Sequence, residues 1–287
     1  MKTVAIKQKH KSTFDELVDL TRGYRSSSSY FQFIQFVAKI KNYSAYNVAL
    51  IYSQNPNVTY VASKADWSKR HNRTVNKDAR PLIILAPFHP VMFVFDVNDT
   101  EGAPLPDRVF APFWAKGNTP EHAVAKLHKL AKRLSVIIHE EPRSATSAGC
   151  IKTNYIENEF KSYILEINSN HAPQVRFATL VHELAHLMCG HLGIHNVNES
   201  WKERTNLSLD QREFEAESVS YIICKRFGIR SNSEEYLSGY VKCKDFIPDI
   251  SIDTVLHVAG TIENAINGQL PNEKRNDSTG QEQLALF

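Results

Sequence analysis

TLVHELAHLMCGH, residues 179–191, followed by REFEAESVSYIIC at 212–224, decides how the second half of this chain folds. In the first stretch His182 and His186 stand four residues apart within a helical apolar pattern. On an α-helix that spacing separates two side chains by about 40° around the axis and about 6 Å along it, so both imidazoles leave one face. Glu183 lies about 100° further round, off the histidine pair but near enough to contact a water held between them and an ion. This HExxH pattern is the arrangement of a zinc hydrolase, with two neutral imidazoles as ligands and one carboxylate as general base.

A catalytic zinc takes three protein ligands and keeps one position open. The second stretch offers Glu213, Glu215 and Glu217. Glu213 and Glu217 share a helix face, whereas Glu215 points about 200° away from Glu213. Two carboxylates on one face repel unless positive charge sits between them, and zinc with its imidazoles supplies it. Glu213 is therefore assigned as the third ligand and Glu217 as acceptor for the other N–H of a ligand histidine, with the reverse assignment left open. His191 reads as an ordinary surface histidine that has the alternative of facing the site. Tyr155, Tyr163, Tyr221 and His191 are all eligible to stabilise an oxyanion, and the sequence does not choose among them.

Working outward, 172–190 reads as a helix closed by Gly190, and Ser208 with Gln211 makes a capping-box start for a second helix that stops at Gly228. PEHAVAKLHKLAKRL, 120–134, is amphipathic with Pro120 in its first turn, SVIIHEE and SYILEINS read as strands, and two further helices are expected at about 232–243 and 252–267. Before this block, apolar spacing is helical from Thr13 to about Gln54. The runs 58–62, 81–87 and 91–97 then read as strands, interrupted by the basic segment SKADWSKRHNR. DVNDTEGAPLPDR, 96–108, gathers loop formers. The fold class is α+β: a small basic N-terminal α+β domain over 1–105, a catalytic domain over 106–268 and a flexible tail over 269–287.

Composition narrows the setting. No uncharged apolar run approaches the roughly 20 residues that span a bilayer, and no signal sequence opens the chain, so a cytoplasmic protein is expected. Cys150, Cys189, Cys224 and Cys243 are far apart and read as reduced core thiols. The net charge of +3 is unevenly spread: residues 1–80 hold 14 Lys/Arg against 5 Asp/Glu, the remaining 207 hold 20 against 26. Such asymmetry suits a phosphate backbone, with a solvated cationic face as the plain alternative. Arg22, Arg25, Lys39, Lys41, Lys69, Arg70 and Arg73 form the candidate cationic track, with Trp67 and Tyr60 as candidate stacking rings for single-stranded DNA.

The two stretches quoted first resemble the ImmA/IrrE-type zinc metallopeptidases, and the basic front unit gives an arrangement that resembles the ArdC-like antirestriction proteins. SAYNVALIYSQNPNVTYVASKADWSKR, ARPLIILAP and VFDVNDTEG carry the likeness at the front, so it runs from about residue 25 to 265. RTVNKDARP stands where that group often has a Gly/Lys-rich turn. The resemblance implies a zincin-like (gluzincin) metallopeptidase domain with Zn2+ on His182, His186 and Glu213, Glu183 as catalytic base, and a front unit that binds single-stranded DNA. A protein substrate and a DNA-associated role in antirestriction, repressor cleavage or replication and repair follow as expectations. The alternative is a single-stranded DNA-binding protection protein of a mobile element whose zinc is structural.

The chain ends on Gln283, Leu284, Ala285, Leu286 and Phe287 after a polar tether. This resembles the Gln-Leu-x-Leu-Phe peptides that dock on the bacterial DNA sliding clamp, with Leu286 and Phe287 filling an apolar pocket, Gln283 fixing orientation by hydrogen bonds and Leu284 among the contact residues. A tail folded onto its own domain is the alternative.

Overall fold

Ser26, Ser44, Ser63, Ser208 and Ser251 each stand one residue before a helix, and each side chain accepts a backbone N–H of the first turn, from Ser29, Asn47, Asp66, Gln211 and Thr254. Five helix starts are thus written in the local sequence. In the computed structural model the described residues are 26–86, 91–105, 120–144, 147–195 and 200–270. They divide by contact into two compact units, one of 26–86, 91–105 and 241–247, the other of 120–144, 147–195, 200–240 and 248–270. The fold is α+β. No described helix is long and apolar enough to cross a membrane.

In the first unit, α1 (Ser27–Lys39) and α2 (Ala45–Gln54) bury aromatic and branched side chains against each other. Tyr30, Phe33, Ile34 and Val37 recur at helical spacing and are buried, and Phe33 and Phe36 both set an edge against the Tyr52 ring. β1 (Val61–Ser63), β4 (Met92–Asp96) and β3 (Leu82–Ile84) form an antiparallel sheet in that order, with Val61 opposite Asp96 and Ile83 opposite Phe93. The outer edge of β3 is closed by two side-chain amides of α2. Asn47 both donates to Leu85 O and accepts from Leu85 N, and Gln54 does the same with Ile83. A row of backbone groups that would otherwise template another strand is thereby satisfied.

After β1 the segment expected as an interruption is a helix, α3 (Lys64–His71), ended by Asn72 in the left-handed conformation. It has no apolar stripe, because Trp67 is its one buried residue. β2 (Arg73–Val75) pairs with β5 (Thr100–Gly102), and a short 3-10 turn at Val97–Asp99 leads into the latter. Segment 241–247 joins this unit, where Asp245 O accepts from Ser27 N at 2.8 Å and Lys244 O from Ser27 Oγ at 2.6 Å.

The second unit begins with α4 (Pro120–Arg133) and β6 (Val136–Glu141), followed by β7 (Gly149–Ile156) and β8 (Glu159–Asn168). The sheet order is β6-β8-β7, parallel between β6 and β8 and antiparallel between β8 and β7, so β7 is an edge. The sequence showed no sign of β7, whose pattern GCIKTNYI lacks a clean apolar alternation. Four helices follow among the described residues: α5 (Pro173–Met188), α6 (Leu209–Arg226), α7 (Asn232–Cys243) and α8 (Ile252–Ile266). α5 packs on β7, β8, α4 and α6, and α8 closes over α4, α5 and α6. Phe177, Leu180, Val181, Leu184, Ala185 and Met188 are buried at helical spacing and point α5 into this core, which leaves its two motif histidines on the flank. Inside, Arg226 gives its guanidinium to Glu263 at 2.6 Å, tying α6 to α8. Cys189 and Cys224 are buried as expected, whereas Cys150 and Cys243 are exposed: Cys150 lies on the edge strand and Cys243 at a helix end.

Candidate metal centre

Gly149 opens β7 with no side chain, and a Cβ there would lie 2.6 Å from Thr179 Cγ2 and 2.5 Å from Glu166 O, so only glycine lets the strand approach α5 this closely. The approach creates one wall of a cleft of about 590 Å³ lined by Gly149, Cys150, Ile151, Thr179, His182, Glu183, His186 and, from α6, Arg212, Glu213 and Glu217.

At its base the two motif histidines face each other. His182 Nε2 and His186 Nε2 are 3.1 Å apart, and Glu213 sets one oxygen 3.5 Å from the first and the other 3.4 Å from the second. Donors about 2.0–2.1 Å from a tetrahedral zinc lie about 3.3–3.4 Å from one another, so the three groups fit such an ion. They form a candidate ligand set, with one donor atom of each within 4.8 Å of the others. Glu217 stands on the far side of His182, its Oε1 3.6 Å from Nδ1. The two carboxylates of one helix face thus meet different nitrogens.

Charges in this corner answer one another. The hydrogen-bonded His182 and His186 hold the Glu213 carboxyl well below the usual range. Burial pulls His182 down, but Glu213, Glu217 and Glu183 together outweigh it and raise the ring above its ordinary value. Glu183 is buried at the cleft floor; desolvation raises its carboxyl, partly offset by the two histidines and by a hydrogen bond from the Ile151 backbone. A raised carboxyl is the property of a general base working near neutrality.

Behind His186 lies a cluster the sequence did not reveal. His191 is not a surface histidine: it is 4% exposed. Its Nδ1 is 3.0 Å from His186 Nδ1, and its Nε2 is 3.0 Å from Glu215 Oε2. Glu215, fully buried, also takes both arms of the Arg204 guanidinium, at 2.5 and 2.6 Å, and the Ser251 backbone N–H at 2.7 Å. Burial alone would raise the Glu215 carboxyl, yet His191, Arg204 and Ser251 together hold it below its ordinary value, while desolvation keeps the His191 ring below its own. Gly190 makes the approach possible. At φ 79° its Cβ would sit 1.9 Å from Lys202 O, and its carbonyl accepts the Arg204 backbone N–H at 2.9 Å. The sequence signal available was the buried-helix position of Glu215, but its partners arrive from a loop and a later helix cap.

The expected oxyanion donors are all otherwise placed. Tyr163 and Tyr221 are buried, Tyr155 OH meets His195 Nδ1 at 3.1 Å, and both nitrogens of His191 are engaged. Arg212 was not foreseen. It lines the cleft, and its buried Nε has no hydrogen-bond partner among the described residues.

The cationic track fares differently. Trp67 is fully buried and gives its indole N–H to Phe95 O at 2.9 Å, and Tyr60 sets its ring edge-on against it, so Trp67 is corrected from a stacking platform to a core residue. Arg73 spends its guanidinium on the carbonyls of Thr100, Gly102 and Ala103 and on Thr100 Oγ1, which staples β2 to β5. Arg70 pairs with Asp66 at 3.0 Å. Lys39 and Lys69 are exposed and Lys41 is half-buried. Arg22, Arg25 and the tail residues Gln283, Leu284, Leu286 and Phe287 lie outside the described residues.

Residues 143–234 match the sequence profile of the Peptidase_M78 family, the IrrE N-terminal-like domain. An uncharacterised protein of Bacillus anthracis is 24% identical over 335 aligned residues, taking in 97% of this chain and 54% of that protein, so the chain spans about half the length of this curated relative. The crystal structure of the antirestriction ArdC protein from the R388 plasmid, in a Mn(II)-bound form, is similar at 15% identity over 84% of this chain and 97% of that one, with a TM-score of 0.36. The histidine and glutamate cluster falls wholly inside the segment that the profile matches.

Proposed function

We propose that this protein is a zinc-dependent endopeptidase in which His182, His186 and Glu213 hold the metal and Glu183 is the general base. The observation that carries the reading is His182 Nε2 and His186 Nε2 standing 3.1 Å apart, with one Glu213 oxygen 3.5 Å from the first and the other 3.4 Å from the second, beside a buried carboxylate in an open cleft. Zinc bound there supplies Lewis acidity, which acidifies a water and polarises a carbonyl. Glu183 takes the proton from the attacking water and delivers it to the departing amine. Glu217 faces the outer nitrogen of His182 at 3.6 Å, and its negative charge favours a proton there, which leaves Nε2 for the metal. Arg212, which lines the cleft, offers its guanidinium to a substrate oxygen.

The cleft also suits an extended polypeptide. β7 is the edge of its sheet and lines the cleft beside Glu183, so a substrate strand can add to it through main-chain hydrogen bonds while its scissile carbonyl reaches the histidines. The test is metal content against cleavage. About one zinc per chain is expected, with hydrolysis of an unfolded polypeptide lost on chelation and restored by zinc; a chain that binds no zinc refutes the reading.

A DNA-associated setting belongs to the same proposal. It rests on the basic first eighty residues and the terminal Gln283 to Phe287 peptide. It predicts single-stranded oligonucleotide binding that weakens steeply with salt, and binding to a bacterial sliding clamp that is lost when Leu286 and Phe287 are removed. Salt-insensitive or absent oligonucleotide binding, with clamp binding unaffected by the deletion, removes that setting.

A further inference from the structure

We infer that His191 is a positioning residue for the metal centre, fixing the tautomer and the aim of His186 through a chain that ends on Glu215 and Arg204. The inference rests on the proposed metal site and concerns a group outside its ligand set.

The argument is one of hydrogen-bond direction. His186 and His191 meet through Nδ1 atoms 3.0 Å apart, and a bond between two such nitrogens needs one proton, carried by one partner. The other end of His191 decides which partner carries it. Its Nε2 is 3.0 Å from Glu215 Oε2, and a carboxylate held by both arms of Arg204 accepts only, so His191 places its hydrogen on Nε2. Its Nδ1 is then a lone pair, His186 must donate from Nδ1, and the lone pair of His186 is left on Nε2. That atom is the one 3.1 Å from His182 Nε2 and 3.4 Å from Glu213. A ligand histidine normally finds its outer acceptor in a carboxylate, a carbonyl or water. Here a second imidazole is interposed, and the carboxylate stands one residue further back.

The same atoms do not form a second metal site. Cys189, His191 and Glu215 bring donor atoms within 4.8 Å of one another. However, Arg204 occupies both oxygens of Glu215, Ser251 N–H shares one of them, and His191 Nδ1 is committed to His186. A guanidinium stands where a cation would have to enter. Burial supports the positional reading, since the side chains of His191 and Glu215 are too enclosed for water to take the place of either.

The experiment compares wild type, His191→Leu and His191→Asn by zinc affinity in chelator competition, alongside nitrogen-15 NMR of the histidine rings. Asn can place its carbonyl oxygen near the ring Nδ1 position and accept the same proton; Leu cannot. Zinc binding is expected to weaken by about 10–100-fold in His191→Leu, the usual cost of losing an outer partner, and to recover most of that loss in His191→Asn. In the zinc-free wild type at about pH 9, where imidazoles are neutral, His186 is expected as the Nδ1–H tautomer and His191 as Nε2–H. An unchanged affinity in a folded His191→Leu, an Asn variant no better than Leu, or the opposite tautomers overturns the inference. The ring spectra decide it even if both variants fail to fold. They also separate the two claims, because wild-type protein with the expected tautomers and no zinc affinity refutes the metal site alone.

Discussion

Trp67 places its indole nitrogen 2.9 Å from the carbonyl oxygen of Phe95, joining the polar helix α3 to the central strand of the first unit's sheet. The helix has no other buried side chain, so this residue carries most of its attachment. Trp67→Phe leaves that carbonyl without its donor and opens space in the core. It is expected to destabilise the first unit by about 1–3 kcal/mol, read as a lowered denaturation midpoint at unchanged slope. A neutral substitution would show that the anchor lies elsewhere.

Arg226 is 1% exposed and bonds the buried Glu263 across α6 and α8. Arg226→Met strands a carboxylate in the core, at an expected cost of about 3–5 kcal/mol. Arg226→Met combined with Glu263→Gln should recover much of it, because the loss comes from the unpaired charge. Urea denaturation of Arg226→Met, Glu263→Gln and the double variant checks this, and additive losses would contradict it.

Glu166 on β8 gives a pH signature. Hydrogen bonds from Lys152 and Arg143 hold its carboxyl down to about 2, against an ordinary 4.5. A carboxyl lowered in the folded state stabilises it fully above the unfolded value, and the contribution disappears as pH falls from about 4.5 toward 2. Glu166→Gln should therefore be less stable than wild type near neutrality and converge with it at the acid end. Thermal melts across that window read the convergence; parallel curves would refute it.

Arg212 is a positively charged donor on the cleft wall. Arg212→Ala is expected to lower kcat/KM on a peptide substrate by about 10–100-fold, the worth of a charge-assisted hydrogen bond, with zinc affinity unchanged. Unaltered kinetics would remove it from the site.

What the sequence disclosed and what it hid divide along chain distance. The HExxH turn, the Ser208–Gln211 capping box and the stops at Gly190 and Gly228 are all local patterns, and the structure shows each of them where the spacing put it. Placing Glu213 and Glu217 on one face of α6 likewise needed helical geometry alone, and they meet opposite nitrogens of His182. α3 escaped because its pattern has no apolar stripe, although Ser63 three residues before Asp66 was a readable cap. β7 escaped because an edge strand lining a cleft has no reason to alternate cleanly. His191 reads as a surface residue with the site as its alternative, and it lines the cleft, whereas its link to Arg204 and Glu215 was beyond reach because only the fold brings a turn, a loop and a helix interior together. Trp67 misled for the converse reason: basic neighbours suggested a surface, while the ring itself is core.

The most direct measurement of the central claim compares wild type with Glu183→Gln for zinc content and for new protein termini, detected by mass spectrometry in cells expressing each. The account predicts about one zinc per chain in both proteins, with cleavage by purified Glu183→Gln reduced about 10²–10⁴-fold and its cellular termini absent. Equal termini from the two proteins, or none from either while zinc is bound, would contradict it and leave a metal site that serves structure instead of hydrolysis.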